Sequence, residues 1–387
     1  MEFPVYLDNA ASTPLDEQVL EAMLPLMKSG PGNPSSLHAF GVAATEAVEE
    51  ARESVAALIG SSPHEIHFTS GGTESDSLAL FGLARAQADK RHVVVSTVEH
   101  AAVREAARRF EADGYEVSRV PVDEHGLVDP EEFAAALRPD TAFATVMWAN
   151  NEVGTVQPIA ELARVGAGRG VPFHSDAVQA AGRLPVNVSE VPVSTLALSA
   201  HKLYGPQGVG ALYVRDGVSV QPLQVGGGQE GGLRSGTQNV AGAAGFGVAS
   251  RLAMEALEER MRHDTELRDL LIERMTGLPG VALNGHPTQR LSNNAHFRVA
   301  GVEAEGLVLL CDALGYAIGS GSACASGGHK ASPVLLAMGQ NEREAFSAIR
   351  VTVGKQNTRE EAEGFVAIFA AAAEQLRKLS PLQKTKS

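Results

Sequence analysis

Between residues 65 and 215 the chain alternates short apolar runs with amphipathic ones, and this alternation restricts the possible folds more than any other feature. The runs 65–69, 93–97, 141–149, 171–176, 195–200 and 210–214 are apolar and mostly rich in β-branched residues, while 73–89, 101–113 and 159–168 carry apolar residues at helical spacing. Strands that alternate with helices predict a mostly parallel central sheet covered on both faces. Ahead of them, Val48, Ala51, Val55 and Leu58 line one side of a predicted helix over 42–59, and Gly60 stops it.

The pattern changes near residue 240. A long charged helical stretch over 248–275 leads into a second region with an apolar run at 292–299 and a helical one at 303–314. At 387 residues, with 44% hydrophobic, the chain has room for two or three folding units at about 150 residues each. The expected division is a large α/β domain over 15–257 and a smaller α+β domain over 258–387, with residues 1–14 packed against the latter. A net charge of −14 argues against a nucleic-acid or anionic-membrane binder, whose footprint is basic. No run approaches the roughly twenty apolar residues of a membrane span, and the first residues lack a basic, then apolar leader, so the expected location is cytoplasmic. The two cysteines, Cys311 and Cys324, argue against a disulfide framework and a cysteine-rich metal site. Cys311 lies in an apolar helical run and reads as a small buried hydrophobe, whereas Cys324 lies among glycines and serines in 319–328, a segment expected to be mobile.

Several polar residues stand where predicted strands end, which is where α/β sheets place ligands. Lys202 follows the run 195–200 and is either a surface lysine or a Schiff-base carrier of pyridoxal 5'-phosphate (PLP). Gly71-Gly72-Thr73 is either an ordinary strand-to-helix loop or a phosphate cradle at a helix N-terminus, to which Thr73, Ser199 and His201 can each add a hydrogen bond. Asp176 is either a helix N-cap or the carboxylate that keeps a pyridine nitrogen protonated, with Gln179 and Asn151 in reach of the ring oxygen. His100 is either a helix cap or a stacked acid/base. Arg350, inside an apolar run, needs an anionic partner, either a protein acid or a substrate carboxylate.

Taken in order, Ser-Gly-Gly-Thr-Glu-Ser (70–75), Glu99-His100, Asn150 to Gly154, Asp176 with Gln179, Ser199 to Lys202, Arg234 to Thr237 and Ser320 to Cys324 resemble the cysteine desulfurases of the class V aminotransferases, colinearly from Tyr6 to Arg350. The resemblance implies the PLP-dependent transferase fold type I and an enzyme converting L-cysteine to L-alanine, with a persulfide left on Cys324. Lys202 would be the Schiff-base lysine, Asp176 the pyridinium partner, and His100 the stacked proton shuttle. Asn151 and Gln179 would hold the cofactor, and Thr73, Ser199 and His201 its phosphate. The resemblance also implies a homodimer with shared active sites, in which Thr237 reaches the neighbouring subunit's phosphate. Arg350 would take the cysteine carboxylate, and a sulfur-acceptor protein would receive sulfur for iron–sulfur clusters or other products. Gly231 stands where the family commonly has arginine, and the serine-rich loop around Cys324 resembles the longer-loop branch. The rivals are a selenocysteine lyase or another class V aminotransferase and, from a different class, a non-catalytic sulfur-trafficking scaffold.

Overall fold

The computed structural model describes residues 4–28, 32–320 and 331–379. Cys324 and the mobility expected around it fall outside these residues. Twelve strands are present among them: β1 (Val5–Leu7), β2 (Ile66–Thr69), β3 (His92–Ser96), β4 (Glu116–Val120), β5 (Thr141–Thr145), β6 (Phe173–Asp176), β7 (Thr195–Ser199), β8 (Gly210–Val214), β9 (Val281–Asn284), β10 (Asn294–Val299), β11 (Tyr316–Ser320) and β12 (Ala348–Thr352). Seven form one sheet in the order β2-β8-β7-β6-β5-β3-β4, in which only β8 runs against its neighbours. The expected mostly parallel sheet is therefore present. Its central strands β3, β5, β6 and β7 are buried at every position, as a sheet covered on both faces requires.

Sequence and structure differ at several places. The run expected over 141–149 leaves the sheet after Thr145, and its remainder carries the turn at Asn150. Strand β4 was not expected, because Glu116 and Arg119 interrupt its apolar character; it is the sheet edge, where charge is tolerated. The charged helical stretch divides at Ala256 into helices Val240–Glu255 and Leu257–Thr276. Helix Ala39–Ile59 ends as its sequence indicates, with Gly60 at φ 66° and the Ser61 N–H donating back to the Ala56 carbonyl.

The remaining five strands form a second sheet, β1-β11-β12-β10-β9, backed by helices Leu257–Thr276, Ala304–Ala313 and Arg359–Leu379. Period-two alternation decides what each face carries. Ala295, Phe297 and Val299 of β10 and Ile349 and Val351 of β12 enter the core with Leu271, Cys311, Phe365 and Phe369. His296, Arg350 and Thr352 therefore occupy the opposite face. The strand β1 pairs in parallel with β11, Val5 to Leu7 facing Tyr316 to Ile318. No helix among the described residues is long and apolar enough to cross a membrane.

One close approach fixes the loop at the end of β2 against the sheet. A Cβ on Gly210 would lie 2.6 Å from both Gly71 Cα and the Leu198 carbonyl oxygen, and backbone on both sides cannot yield cheaply. Gly210→Ala should destabilise the protein by about 1–3 kcal/mol, the usual cost of overpacking, and lower its thermal midpoint by several degrees in a calorimetric scan. An unchanged midpoint would show that the Gly71 loop can move away freely.

Candidate active site

The sequence-predicted residues that the fold gathers lie mainly at the carboxyl ends of β2, β3, β6 and β7. Thr69 ends β2, and Gly71 and Gly72 open helix Gly72–Ala86, whose leading N–H groups have no carbonyl one turn earlier. Gly71 has φ 149° and Ser199 Oγ lies 3.9 Å from where its Cβ would be, so the end of β7 meets this helix start. Glu74, close to these N–H groups, is neutralised by Arg234 at 2.7 Å, and Arg234 ties the segment bearing the exposed Thr237 to the same turn. Thr73 and His100 line a shared cavity of about 430 Å³ with Ser77, Phe81 and Arg109.

Lys202 follows β7 in a short 3-10 turn, and its Nζ donates to the carbonyls of Ala10 (2.5 Å) and Ala11 (2.7 Å). Gln179 Nε2 donates to the same Ala10 oxygen at 3.0 Å. His201 Nδ1 lies 3.1 Å from Ser12 Oγ, and its ring is pushed down to about 4, first by burial and then by Lys202. His100 caps helix Ala101–Ala112, with Nδ1 accepting from the Ala102 N–H at 3.2 Å. Burial holds its imidazole below the ordinary range, the opposing pull of Asp176 notwithstanding. Asp176 ends β6 in a buried position, where desolvation raises its carboxyl while His100 and Lys202 pull it back down. One oxygen of Asp176, one ring nitrogen of His100 and one oxygen of Asp76 all lie within 4.8 Å of one another. His100 caps its helix and Asp176 accepts from the Val178 N–H in the turn after β6, while both side chains also face this cluster.

Arg350 comes from the other sheet. Nη2 donates to Asp8 Oδ1 and Nη1 to the Asn151 carbonyl, each at 2.8 Å, while the buried Nε has no hydrogen-bond partner among the described residues. The protein acid left open by the sequence is thus Asp8. Asn151 is buried and is held by its neighbours: the Asn150 amide accepts from the N–H groups of Glu152 and Val153.

Sequence reasoning missed three buried acids here. Glu99 accepts from Ser96 Oγ (2.6 Å) and the Met147 N–H (2.9 Å), and burial raises it to about 7. Glu152 accepts from the Ser332 hydroxyl and is likewise pushed up to about 7. Asp76 shares the inward stripe of its helix with Ala79, Leu80 and Leu83, a place where an unpaired acid is rare, and that faint signal was the one the sequence offered for it.

A group with a raised folded pKa holds a proton that the unfolded chain has already released. Across the window from about 4.5 to about 7, Glu152 therefore withdraws stability as pH rises, by at most about 3 kcal/mol. Buried neutral histidines have the opposite dependence below about 6.5, so the difference between variants is the informative quantity. Glu152→Gln should gain midpoint relative to wild type between pH 5 and 8. Parallel wild-type and variant curves would show that Glu152 ionises normally.

Whether these residues suit PLP can be judged from the donor set. A buried carboxylate beside an imidazole suits a pyridinium ring, a lysine amine at a strand end suits covalent attachment, and free N–H groups after Gly71 suit a phosphate. Residues 5–365 match the model of the family described as aminotransferase class-V. The chain is 43% identical over 379 residues to the cysteine desulfurase IscS of Methanosarcina thermophila, covering 98% of this chain and 94% of that one. It is 45% identical over 386 residues to the cysteine desulfurase IscS of Dictyoglomus turgidum, with 99% and 98% covered. Among solved structures, a NifS-like protein superposes with a TM-score of 0.91 at 37% identity, over 97% of this chain and all of that one. SspA in complex with cysteine superposes with a TM-score of 0.81 at 34% identity, over 92% of this chain and 100% of that one. A match of this length to a PLP-dependent family, on a fold whose strand ends carry these residues, means that the chain belongs to the class V aminotransferase family, among its cysteine desulfurases.

Proposed function

We propose that this chain converts L-cysteine to L-alanine and carries the released sulfur as a persulfide on Cys324, for transfer to an acceptor protein that supplies iron–sulfur clusters or other sulfur-containing products. The observation that carries the reading is the convergence of Lys202, His100 and Asp176 at neighbouring strand ends. Lys202 would hold PLP, with Asp176 at the ring nitrogen, Asn151 and Gln179 at its oxygen, and Thr73, Ser199 and His201 at its phosphate. When bound, PLP takes up the substrate amino group and stores the electrons released at its α-carbon.

The protein's own residues do the rest. Arg350 orients the cysteine carboxylate, because a planar guanidinium with a spare N–H matches it. His100, neutral at neutral pH, can accept a proton and return it. The Cys324 thiolate attacks the substrate sulfur, the carbon–sulfur bond breaks with its electron pair left on the substrate, and protonation of that carbon yields alanine. Cys311 is a poor candidate for the same task, since it is buried in the smaller core and its thiol is pushed up to about 11.

We also infer a cytoplasmic homodimer in which Thr237 serves the partner's phosphate. Support comes from a cleft of about 700 Å³ lined by Pro34, Ser35 and the Gly227–Gly231 loop, beside which Leu37 is 97% exposed, Val225 80% and Phe40 58%. Apolar surface of this kind commonly marks an interface. The two largest apolar cores and the helix break at Ala256 support a large domain over 15–257 and a small one over 258–387 with 1–14.

Lys202→Ala should lose the borohydride-trappable link to PLP and nearly all turnover, and peptide mapping of reduced wild type should find the label on Lys202. Label on another lysine would remove the basis of the assignment. Cys324→Ser should stay yellow and bind L-cysteine yet release no sulfide, because a hydroxyl forms no persulfide. Sulfide release equal to wild type would place the chemistry elsewhere.

A further inference from the structure

Asp76 lies beneath the pocket. It enters from helix Gly72–Ala86, is 1% exposed, and has Oδ1 3.1 Å from His174 Nε2, while Oδ2 has no hydrogen-bond partner among the described residues. His174 and Asp176 alternate along β6 and so share one face of the sheet. The titratable groups around Asp76 are Asp176 and His100 within 4.8 Å, His174 in contact, and Glu99, with Lys202 bearing on both His100 and Asp176.

The contacts of His174 frame where the proton on this chain can sit. His174 is fully buried and pushed down to about 3, so its ring carries one proton. Its Nδ1 lies 2.9 Å from Thr195 Oγ1, an oxygen that can accept from the ring. With the ring proton on Nδ1 and given to Thr195, Nε2 is an acceptor facing Asp76 Oδ1. A carboxylate cannot donate, whereas a carboxylic acid can. Like charges in a buried site also resist ionising together, and Asp176 and Glu99 both disfavour charge on Asp76.

We propose that Asp76 is a positioning residue: a neutral carboxylic acid that donates its proton to His174 Nε2 and leaves Asp176 to carry the negative charge that meets the pyridine nitrogen of PLP. This rests on the reading of Asp176 given above. The device separates two acids that would otherwise compete for one proton. It also fixes the His174 tautomer, and with it the ring packed beside Asp176 on β6.

The test uses the PLP-loaded enzyme. Infrared difference spectra between wild type and Asp76→Asn should show, at neutral pH, the loss of a protonated carboxylic acid carbonyl band. Asp76→Asn should keep PLP affinity within about threefold and the titration of the yellow chromophore within about 0.3 pH unit, since its amide donates to Nε2 and no charge has been lost. Asp76→Leu, which cannot donate, should weaken PLP binding about tenfold or more. The proposal is overturned if no acid band disappears, or if Asp76→Asn shifts the chromophore titration by about one pH unit, as removal of a nearby negative charge would. Should Asp76→Leu fail to fold, the Asp76→Asn spectra still decide. Asp176→Asn separates the two readings: if it leaves PLP affinity and the titration unchanged, the assignment of Asp176 fails, whatever the Asp76 band shows.

Discussion

The arrangement of the site depends on the segment Asn9 to Thr13, and above all on the Ala10 carbonyl. That oxygen accepts from both Lys202 Nζ and Gln179 Nε2, while the Ala10 N–H donates to Thr352 Oγ1 at 2.9 Å. One residue thus joins the strand end that bears the lysine to the face of β12 that bears Arg350. Around it, Asn9 Nδ2 donates to the Thr352 carbonyl, Thr13 N–H donates to the His201 carbonyl, and buried Arg183 spans the carbonyls of Asn9 and Lys202. Each link is a modest hydrogen bond, but a buried backbone carbonyl deprived of its partners costs its full desolvation. The strap therefore holds as a set.

Burial governs the electrostatics of the pocket more than pairing does. Glu99, Asp76 and Asp176 are raised and His100, His174 and His201 lowered, in each case with desolvation as the leading cause. A group kept near neutrality by its surroundings needs little reorganisation to exchange a proton, which suits chemistry in which protons move on and off carbon. The overall charge of −14 has little bearing on this, because charges on the solvated surface are screened over about 10 Å.

The sheet was readable because parallel strands buried on both faces are short, apolar and separated by helices, as at Val93 to Val95 and Leu196 to Leu198. Residues at strand ends were readable for a related reason: a polar side chain following an apolar run, as Asp176 follows Phe173 and Lys202 follows Leu198, stands out against its neighbours. Asp76 and Glu152 did not stand out. Helical sequence is full of acids, and whether Asp76 faces the sheet depends on how its helix is rotated, which is set by packing, while Glu152 sits in a turn and its partner Ser332 lies 180 residues away. Asp8 escaped notice because its partner lies 342 residues away. The tilt of β4 toward charge likewise reflects its edge position, which no local window contains.

The N-terminal strand carries one more consequence, for the order of events during synthesis. Val5 to Leu7 pair with Tyr316 to Ile318, and Asn9 and Ala10 bond to Thr352, so these early residues wait for partners made more than three hundred residues later. The seven-stranded sheet lies wholly between residues 66 and 214 and can collapse during that wait, as domains generally do when made N-terminus first. The lysine's carbonyl clamp is then anchored only once Thr352 has been made. Nascent chains would acquire a folded core well before they acquire a finished pocket, and cofactor capture would follow the synthesis of Thr352.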